Sequence, residues 1–239
     1  MALPPTYKAR LREKCQLTPQ VVDFFFDLLE PNTIEFKAGQ FVLVKTRHPE
    51  TGELLSRAYS LANPPQVFRE IVLNIEILPT GKLTSLMNGW EPGREVEMQG
   101  PFGHFTFKSP EAVPVVFVAT GTGIAPFKSM IEDLLSQGDK RPMTLYFGIR
   151  SQAGLFYEKE LEALAAAHPN FSYHYCLSQP QEGWTGFSGR VTKALEETPL
   201  EPNTQFYLCG GKPVLDDVRA VLTGKGFEAS QIYFEQYFL

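Results

Sequence analysis

The segment Arg57-Ala58-Tyr59-Ser60 holds the first residues whose types and spacing could do chemistry. An arginine can pair with a diphosphate through its planar guanidinium group, and a tyrosine ring can stack on a flat heterocycle. A serine hydroxyl or backbone amide can bond a ring nitrogen. The same pattern is also typical of a barrel strand with one exposed arginine and one packed tyrosine. By itself, the segment leaves both interpretations open.

A second segment, Gly81-Lys82-Leu83-Thr84-Ser85, opens a short predicted helix. Backbone amides at a helix N-terminus attract phosphate groups. The plainer interpretation is a glycine turn followed by a helix that Thr84 or Ser85 caps with its side chain. Both interpretations are compatible with the residues alone.

Two strand-to-helix turns carry paired glycines. The apolar run from Val115 leads into Gly121-Thr122-Gly123, and a later strand ends in Cys209-Gly210-Gly211. Each could be a tight turn only, or a place where the backbone must approach a ligand closely, since glycine has no side chain in the way. The first turn departs from the G-x-G-x-x-G fingerprint, so a plain Rossmann dehydrogenase fits it poorly.

The elements around these segments fall into two groups. Before about residue 110, short strands separated by Gly and Pro predict a small antiparallel barrel or sandwich, ending in a rigid turn at Gly100–Gly103. After it, strands alternate with helices, which predicts a parallel sheet. The predicted domains are residues 1–110 and 111–239. Ligands of open α/β sheets bind at the carboxyl ends of the strands, where both glycine pairs fall.

Composition excludes several classes of protein. The chain has 239 residues and a net charge of −5, which argues against a nucleic-acid partner. Its three cysteines and four histidines lack the spacing of a metal site or iron–sulfur cluster. We find no signal-peptide pattern and no apolar run long enough for a membrane span. The sequence therefore predicts a cytoplasmic protein without a bound metal.

The order of the motifs is more specific than any one of them. RAYS, GKLTS, GPFG, GTGIAP, CGGKP and a terminal aromatic segment follow one another along the chain. This series resembles the ferredoxin–NADP reductase superfamily. FGIRSQAGLFYEKELEALAAAHPNF and GWTGFSGRVTKAL are similar to the FAD- and NAD-binding part of bacterial oxygenase reductases. Those proteins usually carry a fused ferredoxin domain, whose cysteines this sequence lacks.

The resemblance implies a six-stranded antiparallel β-barrel that binds FAD, followed by an α/β parallel-sheet domain that binds the nicotinamide nucleotide. In the barrel, Arg57 would contact the FAD diphosphate. Tyr59, beside Ala58, would lie against the isoalloxazine, with Ser60 near its N5. The backbone amides expected to hold the diphosphate are those of Lys82, Leu83 and Thr84.

The same resemblance implies the nucleotide-binding residues. Those expected to shape the nicotinamide entry are Gly121, Thr122, Gly123 and Pro126. Cys209, with Gly210 and Gly211, would border the nicotinamide ring. Glu235 would be the acidic residue near the flavin, and Tyr237 or Phe238 would cover the other face of its ring.

The implied activity is hydride transfer from NAD(P)H to FAD, with electrons then passing to a ferredoxin, a flavodoxin or an oxygenase component. Ser60, Cys209 and Glu235 are the predicted catalytic residues. Arg150 stands where a 2′-phosphate reader would, but it also occurs with NADH in the oxygenase-reductase group, so NADH is favoured over NADPH. The alternatives are a free-flavin reductase and a non-catalytic FAD electron-relay subunit.

Overall fold

The computed structural model describes residues 4–109 and 113–237. Their packing divides the chain into two compact units. The first runs to Phe107 and also takes in Ala125–Leu134, while the second comprises Lys108–Ile124 and the chain from Leu135 onward.

The first unit is built on a six-stranded antiparallel sheet. Its strands are β1 (Thr6–Gln16), β2 (Val21–Glu30), β3 (Phe41–Arg47), β4 (Leu54–Ser60), β5 (Glu70–Glu76) and β6 (Glu95–Phe102). They lie in the order β4-β3-β6-β1-β2-β5. An antiparallel bridge between Leu61 and Leu73 connects the segment after β4 with β5, so the two edges of the sheet approach each other as in a barrel. The predicted six-stranded antiparallel architecture is confirmed.

The interior of this sheet is apolar because alternate residues of its strands point to one side. In β2, Val22, Phe24, Phe26 and Leu28 all join a single buried cluster. The helix α1 (Lys82–Asn88) contributes Leu83 and Met87 to the same cluster. Burial of these two side chains holds α1 against the apolar interior of the sheet.

The second unit carries a six-stranded parallel sheet with helices between its strands. The strands are β7 (Val115–Thr120), β8 (Met143–Ile149), β9 (Phe171–Leu177), β10 (Phe187–Ser188), β11 (Gln205–Gly211) and β12 (Ile232–Tyr237). The helices that follow these strands in the chain are α2 (Ala125–Ser136), most of which belongs to the first unit, α3 (Glu158–Ala167), α4 (Val191–Glu197) and α5 (Lys212–Gly224). A 3-10 turn, Gly121–Ile124, joins β7 to α2. The predicted alternation of strands and helices is confirmed.

The order of this sheet, β10-β9-β8-β7-β11-β12, places β7 in its middle. The chain moves outward from β7 through β8 and β9, and then returns to the other side of β7 with β11 and β12. Strand order therefore reverses between β7 and β11. Open parallel sheets bind ligands outside the carboxyl ends of the strands at such a reversal.

Two details differ from the sequence-based expectation. Gly100, Pro101 and Phe102 lie in β6 and not in a turn, because Phe102 pairs with Phe41 of β3 and their rings stack at 5.7 Å. Only Gly103, with φ of 99°, turns the chain. Sequence patterns also missed β10, a two-residue strand that pairs with Cys176 and Leu177.

Within the described residues, none of the helices combines the length and the apolar character that crossing a membrane requires.

Candidate functional site

Strand β4 presents the first predicted site residues. Arg57 and Tyr59 lie opposite Val44 and Val42 of β3, so they share one face of the strand. Arg57 is exposed and donates from Nη1 to the carbonyl of Ser56 at 2.8 Å. Tyr59 is half-buried and packs against the apolar cluster of the first unit. The strand thus holds a guanidinium group in solvent and an aromatic ring two residues further on.

The Tyr59 ring is electrically neutral under ordinary conditions. Burial raises the pKa of Tyr59 to about 12, against a smaller opposing effect of the Arg57 charge. Ser60 is buried, and Ala58 is exposed between Arg57 and Tyr59. A neutral flat ring beside a cation is a suitable surface for the face of a flavin.

Helix α1 begins at Lys82 without a side-chain cap, so the expectation that Thr84 or Ser85 caps it is wrong. Thr84 Oγ1 lies 3.3 Å from the amide nitrogen of Leu78 and 3.2 Å from its carbonyl oxygen, and so fastens the preceding turn. Ser85 Oγ donates to the Gly81 carbonyl at 2.7 Å. The first amides of a helix have no intrahelical acceptor, so those of Lys82, Leu83 and Thr84 suit an anion.

The charges near β4 and α1 also suit an anionic ligand. Lys82 Nζ lies 2.8 and 3.0 Å from the two carboxylate oxygens of Glu53. Lys82 lowers the pKa of Glu53 most, and His48 and Arg57 lower it further. Since α1 packs against β4, the positive charges of Lys82 and Arg57 both lie near the Glu53 carboxylate. The residues present therefore fit a ligand that joins a diphosphate to a flat ring system, as FAD does.

In the second unit, the predicted glycines lie where β7 and β11 end. A Cβ at Gly123 would lie 2.5 Å from the Cys209 carbonyl oxygen, and one at Gly210 would lie 2.5 Å from Thr120 Oγ1. Packing within the protein therefore favours glycine at both positions, because the 3-10 turn lies close to β11 at Gly123 and the Thr120 side chain of β7 lies close to Gly210. Gly121 differs: its φ is 52°, and a Cβ there would meet open space. The backbone at Gly121 is thus accessible to a ligand.

Two further predicted residues flank this turn. Thr122 is partly exposed within the 3-10 turn. Pro126 is buried in the first turn of α2, where a missing amide proton costs no hydrogen bond. Gly211 ends β11, and a Cβ there would make only an ordinary contact with Pro213.

Cys209 is the most buried of the predicted catalytic residues, with 1% of its surface exposed. It lies opposite Ala119 of β7 on one side and Glu235 of β12 on the other. Burial raises the pKa of the Cys209 thiol well above its ordinary value, and the Glu235 charge raises it further, against a hydrogen bond with Tyr237. Cys209 is therefore a neutral thiol that can shape a site but is not a thiolate nucleophile.

The parallel register brings the C-terminal candidates to this edge of the sheet. Glu235 pairs with Cys209, and Tyr237 pairs with Gly211. Both side chains are partly exposed. Phe238, the other predicted aromatic, lies outside the described residues.

Arg150 directly follows β8, and its Nε donates to Gln179 Oε1 at 3.0 Å. Sequence patterns gave no indication of Gln179 or of Gln152 near it. Gln152 bonds the backbone of Gln181 in both directions, at 3.1 and 2.9 Å. The two pairs, Arg150 with Gln179 and Gln152 with Gln181, are each 29 residues apart, and no sequence pattern marks that separation.

Two domain families match the chain. Residues 8–107 match the oxidoreductase FAD-binding domain, and residues 117–220 match the oxidoreductase NAD-binding domain. Together they account for the antiparallel sheet and most of the parallel one. The chain is therefore built from an FAD-binding and an NAD-binding oxidoreductase domain.

The chain is similar to known proteins both in sequence and in structure. The chain is 33% identical over 238 residues to the reductase component DmpP of phenol 2-monooxygenase from Pseudomonas sp. (strain CF600), covering 97% of this chain and 65% of that protein. It is 35% identical over 198 residues to one subunit of the Na(+)-translocating NADH-quinone reductase of Shewanella denitrificans, covering 76% and 48%. A ferredoxin NADP+ reductase from Neisseria gonorrhoeae, solved with FAD and NADP, has the same fold over all of both chains, with a TM-score of 0.82 and 22% identity. The chain therefore has the fold of this ferredoxin NADP+ reductase and consists of the FAD-binding and NAD-binding oxidoreductase domains.

The chain spans about half to two thirds of the length of these two sequence relatives. Among the residues that the structure describes, no group of three or more His, Cys, Asp or Glu side chains is placed to hold a metal ion.

Proposed function

We propose that this chain is an FAD-dependent NAD(P)H oxidoreductase that passes electrons to a separate acceptor. The observation that carries the proposal is the reversal of strand order between β7 and β11. It brings the Gly121–Gly123 turn and the Cys209–Gly211 strand end to one edge of the sheet, in a chain whose other unit is an FAD-binding barrel.

In this proposal, the barrel residues bind FAD and orient its flavin ring. The exposed guanidinium of Arg57 and the first amides of α1 would bind the diphosphate of FAD, while Tyr59 would lie along the flavin ring with Ser60 near its N5. When bound, FAD supplies the redox chemistry, because it accepts a hydride and releases single electrons.

The residues of the parallel sheet would align the nicotinamide. Gly121, Thr122, Gly123 and Pro126 would shape its entry. Cys209, Gly210 and Gly211 would border the ring with a neutral, buried thiol that excludes water. Glu235 would be the charged group nearest the reaction, and Tyr237 or Phe238 would cover the flavin. Hydride transfer requires alignment and no general base, so a triad is not needed.

NADH is the proposed donor. Between the end of β8 and Lys159, the sequence contains a single basic residue, Arg150. This segment therefore offers one positive charge for binding a 2′-phosphate. One relative is part of an NADH-quinone reductase, and another is the reductase component of a monooxygenase. The monooxygenase relative supports an oxygenase component as the acceptor, and a ferredoxin or a flavodoxin stays a prediction. The domain limits at residues 110 and 111 and the cytoplasmic location remain predictions.

A free-flavin reductase is the alternative, and retention of FAD separates the two. The test loads the purified chain with FAD and passes it over a desalting column. We expect about one FAD to remain bound per chain, because Tyr59, Arg57 and α1 offer a site for each part of the molecule. Complete loss of FAD, with continued reduction of flavin in solution, would contradict a bound cofactor.

A further inference from the structure

Helix α2 directly follows the Gly121–Ile124 turn in the chain, yet Ala125–Leu134 packs as part of the first unit. Its first residue, Ala125, is buried in a small apolar cluster with Phe25, Ala62 and Val72. Ala62 lies two residues after Ser60, which is expected near the flavin N5. The start of α2 is therefore seated on the segment that directly follows Ser60.

One turn further along α2, Ser129 makes a contact that is unusual for a serine inside a helix. Serines at such positions commonly point to solvent or bond the carbonyl four residues earlier in their own helix. Ser129 is instead fully buried, and its hydroxyl donates to the Asn63 carbonyl at 2.7 Å. Ser129 thus connects α2 to the residue next to Ala62.

Asn63 is a fixed acceptor for this bond, because both groups of its side-chain amide are themselves bonded. Its Nδ2 donates to the carbonyls of Val67 and Glu70 at 2.9 and 3.1 Å, and its Oδ1 accepts from the Val72 amide at 2.9 Å. The neighbouring Ala62 amide also donates to the Val72 carbonyl at 2.9 Å. The segment after β4 is therefore fastened to β5, and it offers α2 a fixed point of contact.

A third contact between this segment and α2 lies two turns from the start of the helix. Gln66 Nε2 donates to Asp133 Oδ1 at 2.5 Å at the protein surface. Ala125, Ser129 and Asp133 are spaced four residues apart, so they share one face of α2. With a rise of 1.5 Å per residue, Asp133 is about 12 Å along the helix from Ala125. The contacts nearest the turn are buried, and they hold the point where the turn ends.

We propose that Ser129 is a positioning residue for hydride transfer, which fixes the point where the nicotinamide-entry turn joins α2 by holding α2 on Asn63. The inference rests on the proposed function, because it takes the turn as the entry of the nicotinamide and Ser60 as the neighbour of the flavin N5. Ser129 is fully buried, so it acts only through the placement of α2. Placement matters in such a reaction, since a displacement of about 1 Å can lower a rate about a hundredfold.

The first experiment measures flavin reduction in FAD-loaded Ser129→Ala by anaerobic stopped-flow mixing with NADH. We expect the limiting rate to fall about tenfold, while the Kd for NADH from the same titration stays within about twofold of wild type. The stoichiometry and the visible spectrum of bound FAD should be unchanged. Ser129→Cys, which has a similar shape and a weaker donor, should reduce its flavin at an intermediate rate.

Hydrogen exchange of backbone amides, followed by mass spectrometry, tests the same claim on the FAD-loaded chain without nucleotide or turnover. Ser129→Ala should speed exchange in the Gly121–Ile124 turn and leave exchange in β2 at the wild-type rate, because only the attachment of α2 is loosened. Faster exchange spread over the whole chain would show a general loss of stability and would overturn the positioning role.

Gln66→Ala is the matched control, because it removes a contact between the same segment and α2 far from the turn. It should keep the wild-type limiting rate and the wild-type exchange of the turn. An unchanged limiting rate in Ser129→Ala, or an equal loss in Gln66→Ala, would overturn the inference and leave the proposed function intact. Failure of both NADH and NADPH to reduce the flavin of wild type would overturn the proposed function itself, and the inference with it.

Discussion

Among single residues, Tyr59 of the first unit and Cys209 of the second unit both carry neutral side chains. The phenol of Tyr59 has a pKa of about 12 because it is partly buried, and burial also raises the pKa of the Cys209 thiol. Such groups contribute shape and low polarity, which suits hydride transfer better than acid–base chemistry.

Replacing Tyr59 tests the barrel site. Tyr59→Ala removes the ring against which the flavin is proposed to lie, so we expect weaker FAD binding by about tenfold to a hundredfold, or a shifted flavin spectrum. Tyr59→Phe keeps the ring and serves as the control. Stoichiometric FAD with an unchanged spectrum in Tyr59→Ala would remove Tyr59 from the site.

The three cysteines differ in accessibility, and a thiol reagent can measure this. Cys15 is exposed, whereas Cys176 and Cys209 are buried, and burial raises the pKa of Cys176 to about 12. In native protein, a chromogenic disulfide reagent should therefore react rapidly with one thiol per chain. Cys15→Ser should abolish that fast phase. A second fast thiol that disappears in Cys209→Ala would show that Cys209 is open to solvent.

At the scale of elements, Lys225 connects two helices of the second unit. Its ammonium group donates to the carbonyls of Leu195, Glu196 and Thr198 at 2.8, 2.9 and 3.0 Å. These carbonyls end α4, where unpaired acceptors and the helix dipole both favour a cation. Lys225 follows α5 directly, so it ties the end of α5 to the end of α4.

Lys225→Met should therefore lower the free energy of unfolding by about 1–2 kcal/mol, since three carbonyls lose a charged donor that solvent replaces only in part. Urea unfolding followed by circular dichroism measures the loss. Lys159→Met, at an exposed position of α3, is the control and should change stability by less than about 0.5 kcal/mol. Equal effects of the two variants would show that the hydrogen bonds of Lys225 contribute nothing to stability.

Sequence patterns predicted most of these elements because their periodicity is local. The apolar run from Val115 and the alternation of strands and helices after it require no knowledge of tertiary contacts. The cap at Lys225 could not be predicted, because its acceptors lie about thirty residues away and meet it only after α4 and α5 pack. The two-residue strand β10 has no periodicity to detect.

The candidate site shows the same division. The types of its residues and their order along the chain could be recognised as the pattern of a protein family. The structural role of each glycine could not be predicted, because Gly123 lies against Cys209 of β11 and Gly210 lies against Thr120 of β7, and both contacts depend on sheet order. The contact of Gln179 with Arg150 could not be predicted, because a glutamine in a sequence does not indicate its hydrogen-bond partner.

In the molecule as a whole, burial of neutral thiols and phenols makes the free energy of unfolding depend on pH in the alkaline range. Cys176, Tyr59 and Tyr207 each have a pKa raised to about 12, from ordinary values of 9.0 for the thiol and 10.0 for the phenols. A raised pKa in the folded state contributes stability below the ordinary pKa and loses it as the pH rises toward the folded value. The unfolded chain alone ionises in this range.

We therefore expect the free energy of unfolding to fall by several kcal/mol between about pH 9 and pH 12, at about 1.4 kcal/mol per pH unit for each such group. Urea titrations at a series of pH values measure the slope. Cys176→Ala removes one of these groups and should make the slope shallower than in wild type. A flat profile in wild type would contradict the burial of these residues.

We propose that this chain transfers a hydride from a nicotinamide nucleotide to its own FAD. The most direct measurement is the visible spectrum of the FAD-loaded chain, recorded anaerobically before and after one equivalent of NADH and, separately, of NADPH. We expect NADH to bleach the flavin bands faster than NADPH does, and a one-electron acceptor then to restore them. Flavin bands that neither nucleotide bleaches would contradict it and would favour an FAD electron-relay subunit.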